Sequence, residues 1–188
     1  ADPFDFFSFD IPGQTGAAPA SSTIQLAVIQ TDTAINPGNS GGALLDDEAR
    51  LIGINVAIAT ASSSASGDIG IGFAIPSNVV QRVSSELIAN GIATHGLLGA
   101  SVANVTEDPA QLDAGVVGAS IVDLVAGGAA ENAGLKVGDI VVDFDGSPVT
   151  SKNDLTAQVR THAAGATATV TVVRDGASKT VEVTLGAL

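Results

Sequence analysis

Residues 168–185 read "ATVTVVRDGASKTVEVTL", with apolar and polar residues alternating on both sides of Asp175–Gly176. Alternation is the period of a half-buried strand, and an aspartate–glycine pair between two such runs is a strong signal for a β-hairpin. This end of the chain is therefore committed to antiparallel β structure. The rest of the second half agrees with it. "LLGASVANV" (97–105), "GASIVDLV" (118–125) and "VGDIVVDFDGSPV" (137–149) read as strands, the last with its own Asp–Gly turn. "GGAAENAGL" (127–135) reads as a short helix closed by Gly134, and "SKNDLTAQVRTHA" (151–163) as a helix with Ser151 and Asp154 at the spacing of a local N-terminal cap. Residues 96–188 thus suffice for a small independent domain.

The first half is punctuated differently. Residues 1–22 form a lead-in in which the phenylalanine-bearing "ADPFDFFSFDIP" is followed by "GQTGAAPASS", a loop or linker composition. The phenylalanines suit an adhesive tail on an apolar surface or a loop reaching a neighbouring subunit. "IQLAVIQ" (24–30) is a strand or a helical turn followed by a strand. "ALL" (43–45), "LIGINVAIA" (51–59) and "IGIGFAIP" (69–76) are short strands separated by turns and by the flexible "TASSSASGD" (60–68). Short apolar runs between glycine and serine turns favour an antiparallel barrel or sandwich. "SNVVQRVSSELIANG" (77–91) is the clearest helix, with Ser77 or Asn78 to cap it and Gly91 to end it. Val79, Val83 and Leu87, with Val80 and Ile88, give it one apolar stripe. A single amphipathic helix after a run of strands marks a domain boundary near residues 91–96, leaving residues 23–95 as the first domain. The fold class expected is mainly β with a few helices.

Composition restricts what such domains do. Hydrophobic residues make up 45% and aromatics 3%, so the core is aliphatic. The net charge is −13 and no Lys or Arg precedes Arg50, so the basic stripe needed to neutralise nucleic-acid phosphates is missing. An anionic membrane would repel the chain, and no segment has the length of a membrane-spanning helix. With no cysteine there is neither a disulfide framework nor a thiolate metal site, and no cofactor or metal ion is expected. The N-terminus lacks a basic region followed by an apolar run, and there is no Met at position 1, so the sequence reads as processed or as a piece of something longer.

The chemistry concentrates in "INPGNSGGALLD", residues 35–46. Glycines on both sides of Ser40 permit positive φ and a sharp turn. Such a turn can aim the amides of Gly38 and Ser40 at one point, as an oxyanion hole does. The same five residues also suit an ordinary glycine turn. Serine needs a base, and the chain's two histidines, His95 and His162, both lie later in the sequence.

The wider stretch "IQTDTAINPGNSGGALLDDEARLIGINVAIA", followed by "IGIGFAIPSNVV", resembles the HtrA/DegP family of trypsin-like serine endopeptidases over about residues 23–95. The resemblance implies that Ser40 is the nucleophile and that Gly38 and Asn39 belong to the oxyanion loop. "GINVAI" resembles the strand beside the primary specificity pocket, which would be lined by Asn55, Val56 and Ala57. These residues carry no charge, so cleavage after small or aliphatic side chains is implied. The second half resembles a PDZ domain of the same family. "HGLLGASV" matches the carboxylate-binding loop, placing Leu97, Leu98, Gly99 and Ala100 at the peptide, and "AAENAGLKVGDIVVDFDG" is the strongest PDZ signature. A peptide C-terminus would add a strand to a sheet edge, with helix 151–163 as the other wall. Leu97 and Leu98 suit core burial equally well, and one leucine can serve each role.

The resemblance has a large gap. In the family the catalytic histidine and aspartate stand well upstream of the serine, whereas 39 residues precede Ser40 here and none is histidine. Asp32 belongs to the serine loop's lead-in rather than to the acid. His95 and His162 read as solvated or structural. The implied architecture is the second β-barrel half of a trypsin-like domain followed by a PDZ domain, in a truncated or internally deleted form. Three readings follow. The chain derives from an HtrA-like endopeptidase of extracytoplasmic protein quality control (periplasmic, envelope or secreted); it is a PDZ module with an inert protease remnant; or it complements a separate chain carrying the missing barrel. The partners implied are unfolded polypeptides and peptide C-termini, with homo-oligomers allowed. Half of a double barrel exposes the face that packs on its partner, so residues 23–75 are expected to be covered by the Phe-rich N-terminus or to be poorly packed and associating.

Overall fold

A computed structural model of the chain describes residues 26–35, 38–58, 72–112 and 115–188. These residues form mostly strands with three α-helices, the mainly β class expected. The chain divides into two compact units, centred on Val28–Ile75 and Pro76–Leu188. The Phe-rich lead-in and the loop at 60–68 lie outside the described residues.

The first unit is a four-stranded sheet of β1 (Ile29–Thr31), β2 (Ala43–Leu45), β3 (Leu51–Ile58) and β4 (Gly72–Pro76), in the order β1-β4-β3-β2. β1 is antiparallel to β4, with Ile29 opposite Ala74, and β2 is antiparallel to β3, with Leu44 opposite Gly53. Of the strand expected over 24–30, the described residues pair from Ile29. The hydrophobic core is thin: among the described residues of the unit only Ile35, Leu44 and Ala74 are buried apolar side chains. Close backbone approach takes the place of bulk. A Cβ on Gly72 would stand 2.7 Å from the Ile35 side chain, and one on Gly53 2.9 Å from the Ile75 carbonyl oxygen. Leu45 and Leu51 face each other across β2 and β3 and remain about half exposed, at 51% and 46%.

The second unit grows from the hairpin. β10 (Thr167–Arg174) and β11 (Ala177–Thr184) pair in register from Thr167 opposite Thr184 to Arg174 opposite Ala177. Asp175 and Gly176 take φ of 53° and 77°, the double left-handed geometry of a type I′ turn, whose twist matches that of the strands it joins. β8 (Ile140–Phe144) lies on the other side of β10, then β7 (Ala119–Leu124), then β6 (Ala100–Asn104), giving the order β11-β10-β8-β7-β6. A second Asp–Gly turn, at Asp145–Gly146, returns β8 into the short β9 (Ser147–Pro148). The inward faces meet α3 (Lys152–Thr161), whose Leu155 and Val159 join Ile121, Phe144, Val170 and Val183 in one aliphatic cluster around a single phenylalanine. Ser151 caps α3, its hydroxyl accepting the Asp154 amide at 3.2 Å.

The strand expected over 97–105 is broken. β5 (Gly96–Leu97) and β6 are separate strands, because Gly99 turns the chain at φ 71° and releases it into a different partner. β5 pairs with β12 (Gly186–Ala187). The helix expected over 127–135 shortens to α2 (Ala129–Asn132), since Gly127 has φ 70° and Gly128 is extended. One ion pair has a buried carboxylate and a partly exposed guanidinium. Asp139, 1% exposed, receives Nε and Nη2 of Arg174 at 2.5 and 2.6 Å and the Lys136 amide at 2.8 Å.

Helix α1 (Ser77–Asn90) has the expected extent and ends at Gly91 with φ 74°. Its N-terminus differs from expectation: Pro76 occupies the capping position and no side chain caps it. None of its residues is buried, and Leu87 and Ile88 are 48% and 87% exposed, so the apolar stripe is not what holds it. Arg82 does so instead. Its guanidinium donates to the Thr161 carbonyl at 2.8 Å, the Thr94 carbonyl at 2.9 Å and Glu86 at 2.7 Å. Glu86 in turn accepts the Thr94 amide at 2.7 Å. These bonds cluster α1 with the second unit, so the contact boundary falls at 75/76, whereas the sequence reading carries the helix with the first domain to residue 95.

Two outcomes follow. Asp139→Ala strands the Arg174 guanidinium and is expected to lower the unfolding free energy of the second unit by about 3 kcal/mol, read by urea denaturation. The Glu86 carboxyl is held below the ordinary glutamate range, first by the Thr94 amide and then by Arg82. Its folded-state value being depressed, its contribution is fully present above the unfolded value of about 4.3 and disappears as pH falls through the folded one. The acid limb of a stability–pH curve should therefore be shallower for Glu86→Gln than for the wild type.

Candidate functional site

Ser40 stands in a turn that the sequence builds with glycine. The Gly42 amide donates to the Asn39 carbonyl at 2.9 Å, and Gly41, third in the turn, has φ 83°, the position where a type II turn requires glycine. β3 clamps this turn with a reciprocal pair: Gly41 N–H donates to the Asn55 carbonyl at 2.8 Å, and Asn55 N–H donates to the Gly42 carbonyl at 2.9 Å. The Ser40 hydroxyl donates to the Val56 carbonyl at 3.3 Å and lies exposed. Gly38 is also exposed, with φ 104°. Among the described residues no acceptor takes the amides of Gly38 or Ser40, which leaves both N–H groups available to an incoming oxygen.

The same strand carries the residues expected to line a pocket. Asn55 is 8% exposed and its side-chain oxygen is buried without a partner, an arrangement that costs free energy unless a donor arrives. Val56 is half-buried beside it. Ala57 lies within β3, but its side chain is outside the described residues.

Neither histidine attends Ser40. His95 Nδ1 donates to the Arg160 carbonyl at 2.9 Å, since a carbonyl can only accept. His162 packs edge-on against Phe144, ring centroids 5.3 Å apart, and its Nε2 meets Asp145 Oδ2 at 3.1 Å. That contact is the first cause holding the Asp145 carboxyl below its usual range. Asp32 is exposed. Among the described residues no group of three or more His, Asp or Glu could hold a metal ion.

The second constellation lies between β6 and α3. β6 is the last strand of its sheet, so one side of its backbone has no strand partner among the described residues. A cleft of about 90 Å³ runs there, with Ala100 and Val102 on one side and Leu155, Val159 and Arg160 on the other. That volume suits a side chain rather than a cofactor. The loop Leu97–Ala100 closes its end. The Leu98 carbonyl accepts the Ala130 amide at 2.8 Å and the Gly99 carbonyl accepts the Val125 amide at 2.9 Å. In a trans peptide the N–H points opposite to the C=O, so the amides of Gly99 and Ala100 face away from the interior. Two successive outward amides are the donor arrangement that suits an anion. Leu98 is buried in the core at 6% exposure, whereas Leu97 is 40% exposed at the cleft.

Arg160, Val159 and Val102 were not singled out from sequence. Leu155 and Val159 stand four apart on α3, as do Thr156 and Arg160, so helical spacing carried the signal. A larger surface cleft of about 670 Å³ beside Lys136 and Arg174 holds the Asp139–Arg174 pair and none of the orphaned polar atoms.

Comparison with known proteins agrees with both halves. A trypsin family model matches residues 12–83, and a PDZ domain model matches residues 67–185. Serine protease PepD of Mycobacterium tuberculosis is 48% identical over 92% of this chain and 36% of its own length. A probable periplasmic serine endoprotease DegP-like of Ectopseudomonas mendocina is 41% identical over 85% of this chain and 34% of its own. The solved HtrA-type protease AlgW with tripeptide is 36% identical, covering 86% of this chain and 53% of that one, with a TM-score of 0.52. The chain therefore spans about a third of the length of the curated relatives it matches. On the two family models and these relatives together, the chain belongs to the HtrA/DegP family of serine proteases that carry a PDZ domain.

Proposed function

We propose that the second unit captures peptide C-termini. A ligand would extend the sheet along the free side of β6, place its last side chain in the cleft against α3, and set its carboxylate on the Gly99 and Ala100 amides. The open edge of β6 beside an apolar cleft is the observation that carries this reading. The AlgW relatives are described with a tripeptide and with a decapeptide, which favours the same ligand class. On this reading residues 96–188 are the peptide-binding domain and 23–95 the protease-derived segment.

The protease-derived segment supplies the nucleophile loop of an HtrA-like endopeptidase, with Ser40 as nucleophile, Gly38 and Asn39 in the oxyanion loop, and Asn55, Val56 and Ala57 beside the specificity pocket. Peptide-bond hydrolysis by this serine needs a base, and among the described residues the Ser40 hydroxyl meets a carbonyl and no base. A histidine from another segment or chain would have to complete it. The 188 residues by themselves act as a peptide-binding module. Relatives named as periplasmic support an extracytoplasmic location, and unfolded polypeptides are the substrate class. The exposed Leu45–Leu51 pair favours association of the first unit with another chain or copy. Among the described residues no helix is long and apolar enough to cross a membrane.

Two measurements check this. A fluorophosphonate probe, followed by mass spectrometry, should label Ser40 on the order of 10⁴-fold more slowly than the serine of a triad-bearing relative; labelling at the relative's rate would sink the base-free assignment. A fluorescent peptide ending in an apolar residue should bind this chain, and amidating its C-terminus should weaken binding about tenfold, the size of a lost charged hydrogen bond.

A further inference from the structure

Both histidines of the chain bind the end of α3, and one of them also meets a carboxylate. His95 Nδ1 donates to the Arg160 carbonyl at 2.9 Å. His162 closes α3 at its C-terminal end. Its amide donates to the Val159 carbonyl at 3.2 Å, and its carbonyl accepts the Gly96 amide at 2.8 Å. Val159 and Gly96 both line the cleft beside β6. The His162 ring reaches the turn after β8, where Nε2 meets Asp145 Oδ2 at 3.1 Å. The Asp145 amide donates to the Thr169 carbonyl at 2.8 Å, which fixes that turn to β10. His162 therefore ties the end of the cleft to the β8 and β10 strands of the sheet.

The hydrogen bonds around the ring determine which form of it fits. Nε2 faces a carboxylate, and the Asp145 carboxyl is held below its usual range, first by His162, so it is an acceptor at neutral pH. Nδ1 lies 3.2 Å from the Gln158 carbonyl and 3.2 Å from the Thr161 hydroxyl. A carbonyl only accepts. The Thr161 hydroxyl gives its proton to the same Gln158 carbonyl at 2.6 Å, so toward Nδ1 it too only accepts. Both ring nitrogens thus face acceptors, the surroundings that suit an imidazolium. When the ring loses a proton, either one nitrogen presents a lone pair to an acceptor, or Thr161 turns its proton to Nδ1 and gives up its bond to Gln158. A bond at the end of α3 is lost in both cases. The other charged groups on the elements around the ring are Arg160 on α3, Arg82 and Glu86 on α1, His95 ahead of β5, and Asp143 beside the turn. Among the described residues none of these bonds the imidazole.

We propose that His162 is a pH-sensitive clamp on the peptide groove, holding the end of the cleft to Asp145 while its ring is charged and releasing it when the ring is neutral. The inference rests on the peptide-groove reading and adds a proton as the regulator of that site. The clamp is complete in the imidazolium form, so it is present at acid pH and lost as the pH rises through the range in which an imidazole changes charge, between about pH 5 and 8. At the acid end the Asp145 carboxylate persists below the usual aspartate range, which keeps the pair intact there.

The test uses the full chain and a heptapeptide of alanine and serine ending in leucine, with a free terminus and an N-terminal rhodamine label whose charge is constant over the range. Affinities are read by anisotropy at about pH 5.5, 7 and 8.5 and constant ionic strength for wild type, His162→Gln, Asp145→Asn and His95→Gln. Melting temperatures measured in parallel establish that each variant is folded, and asparagine tolerates the left-handed φ of 51° at position 145. The wild-type affinity is expected to fall roughly two- to fivefold from the lowest pH to the highest, the size of a partly exposed ion pair. His162→Gln and Asp145→Asn should bind with an affinity nearly independent of pH, and His95→Gln should keep the wild-type slope. Nitrogen-15 NMR at the lowest pH should show both His162 ring nitrogens protonated. A flat wild-type profile, a slope that survives in His162→Gln, or one that disappears in His95→Gln overturns the proposal and leaves the groove reading standing. If the wild type binds the peptide at no pH, the groove reading fails and the proposal with it.

Discussion

A trans peptide plane has a carbonyl on one side and an amide on the other, and at Leu98–Gly99–Ala100 that constraint organises the second unit. The Leu98 and Gly99 carbonyls are drawn inward by the amides of Ala130 and Val125, which joins the loop to α2 and to the end of β7. The outward direction of the next two amides is then no longer a free variable. The left-handed φ of Gly99 makes the bend between β5 and β6 attainable, and the bend leaves β6 at the margin of its sheet with α3 across the cleft. Core packing, sheet edge and the two outward amides are consequences of one local arrangement, so the interior sets what this loop presents at the surface.

The first unit uses a related device for a different purpose. Asn55 pairs reciprocally with Gly41 and Gly42, so β3 fixes the turn that carries Ser40. Rigidity here comes from hydrogen bonds and glycine contacts rather than bulk, since buried apolar side chains are few. This is what an oxyanion site requires: donors held in place before charge develops. Proton removal is a separate requirement, and geometry of the loop does not supply it.

Legibility in the sequence followed the range of the forces involved. The hairpin at 167–184 and the extent of α1 were readable because alternation, helical periodicity and punctuating glycines are local. The Ser151 cap was readable for the same reason. The break between β5 and β6 was not, because Leu98 obeys the core and Gly99 a long-range hydrogen bond, while the letters look like one continuous strand. The packing of α1 was misread because its visible stripe is apolar, whereas its anchor is Arg82 reaching carbonyls 12 and 79 residues away. Arg160 was overlooked because a lone arginine on a helix resembles a solvated face until its neighbours in space are known.

The four-stranded sheet of the first unit ends in β1 on one side and β2 on the other, each only three residues long, with Leu45 and Leu51 about half exposed between β2 and β3. A sheet whose two margins have no strand partner among the described residues, and whose interior is thin, sets no upper bound on its own width. Its folded population then depends on encounter with a matching surface as well as on its internal contacts. For such a unit, dilution becomes a structural variable in the same sense as temperature or denaturant.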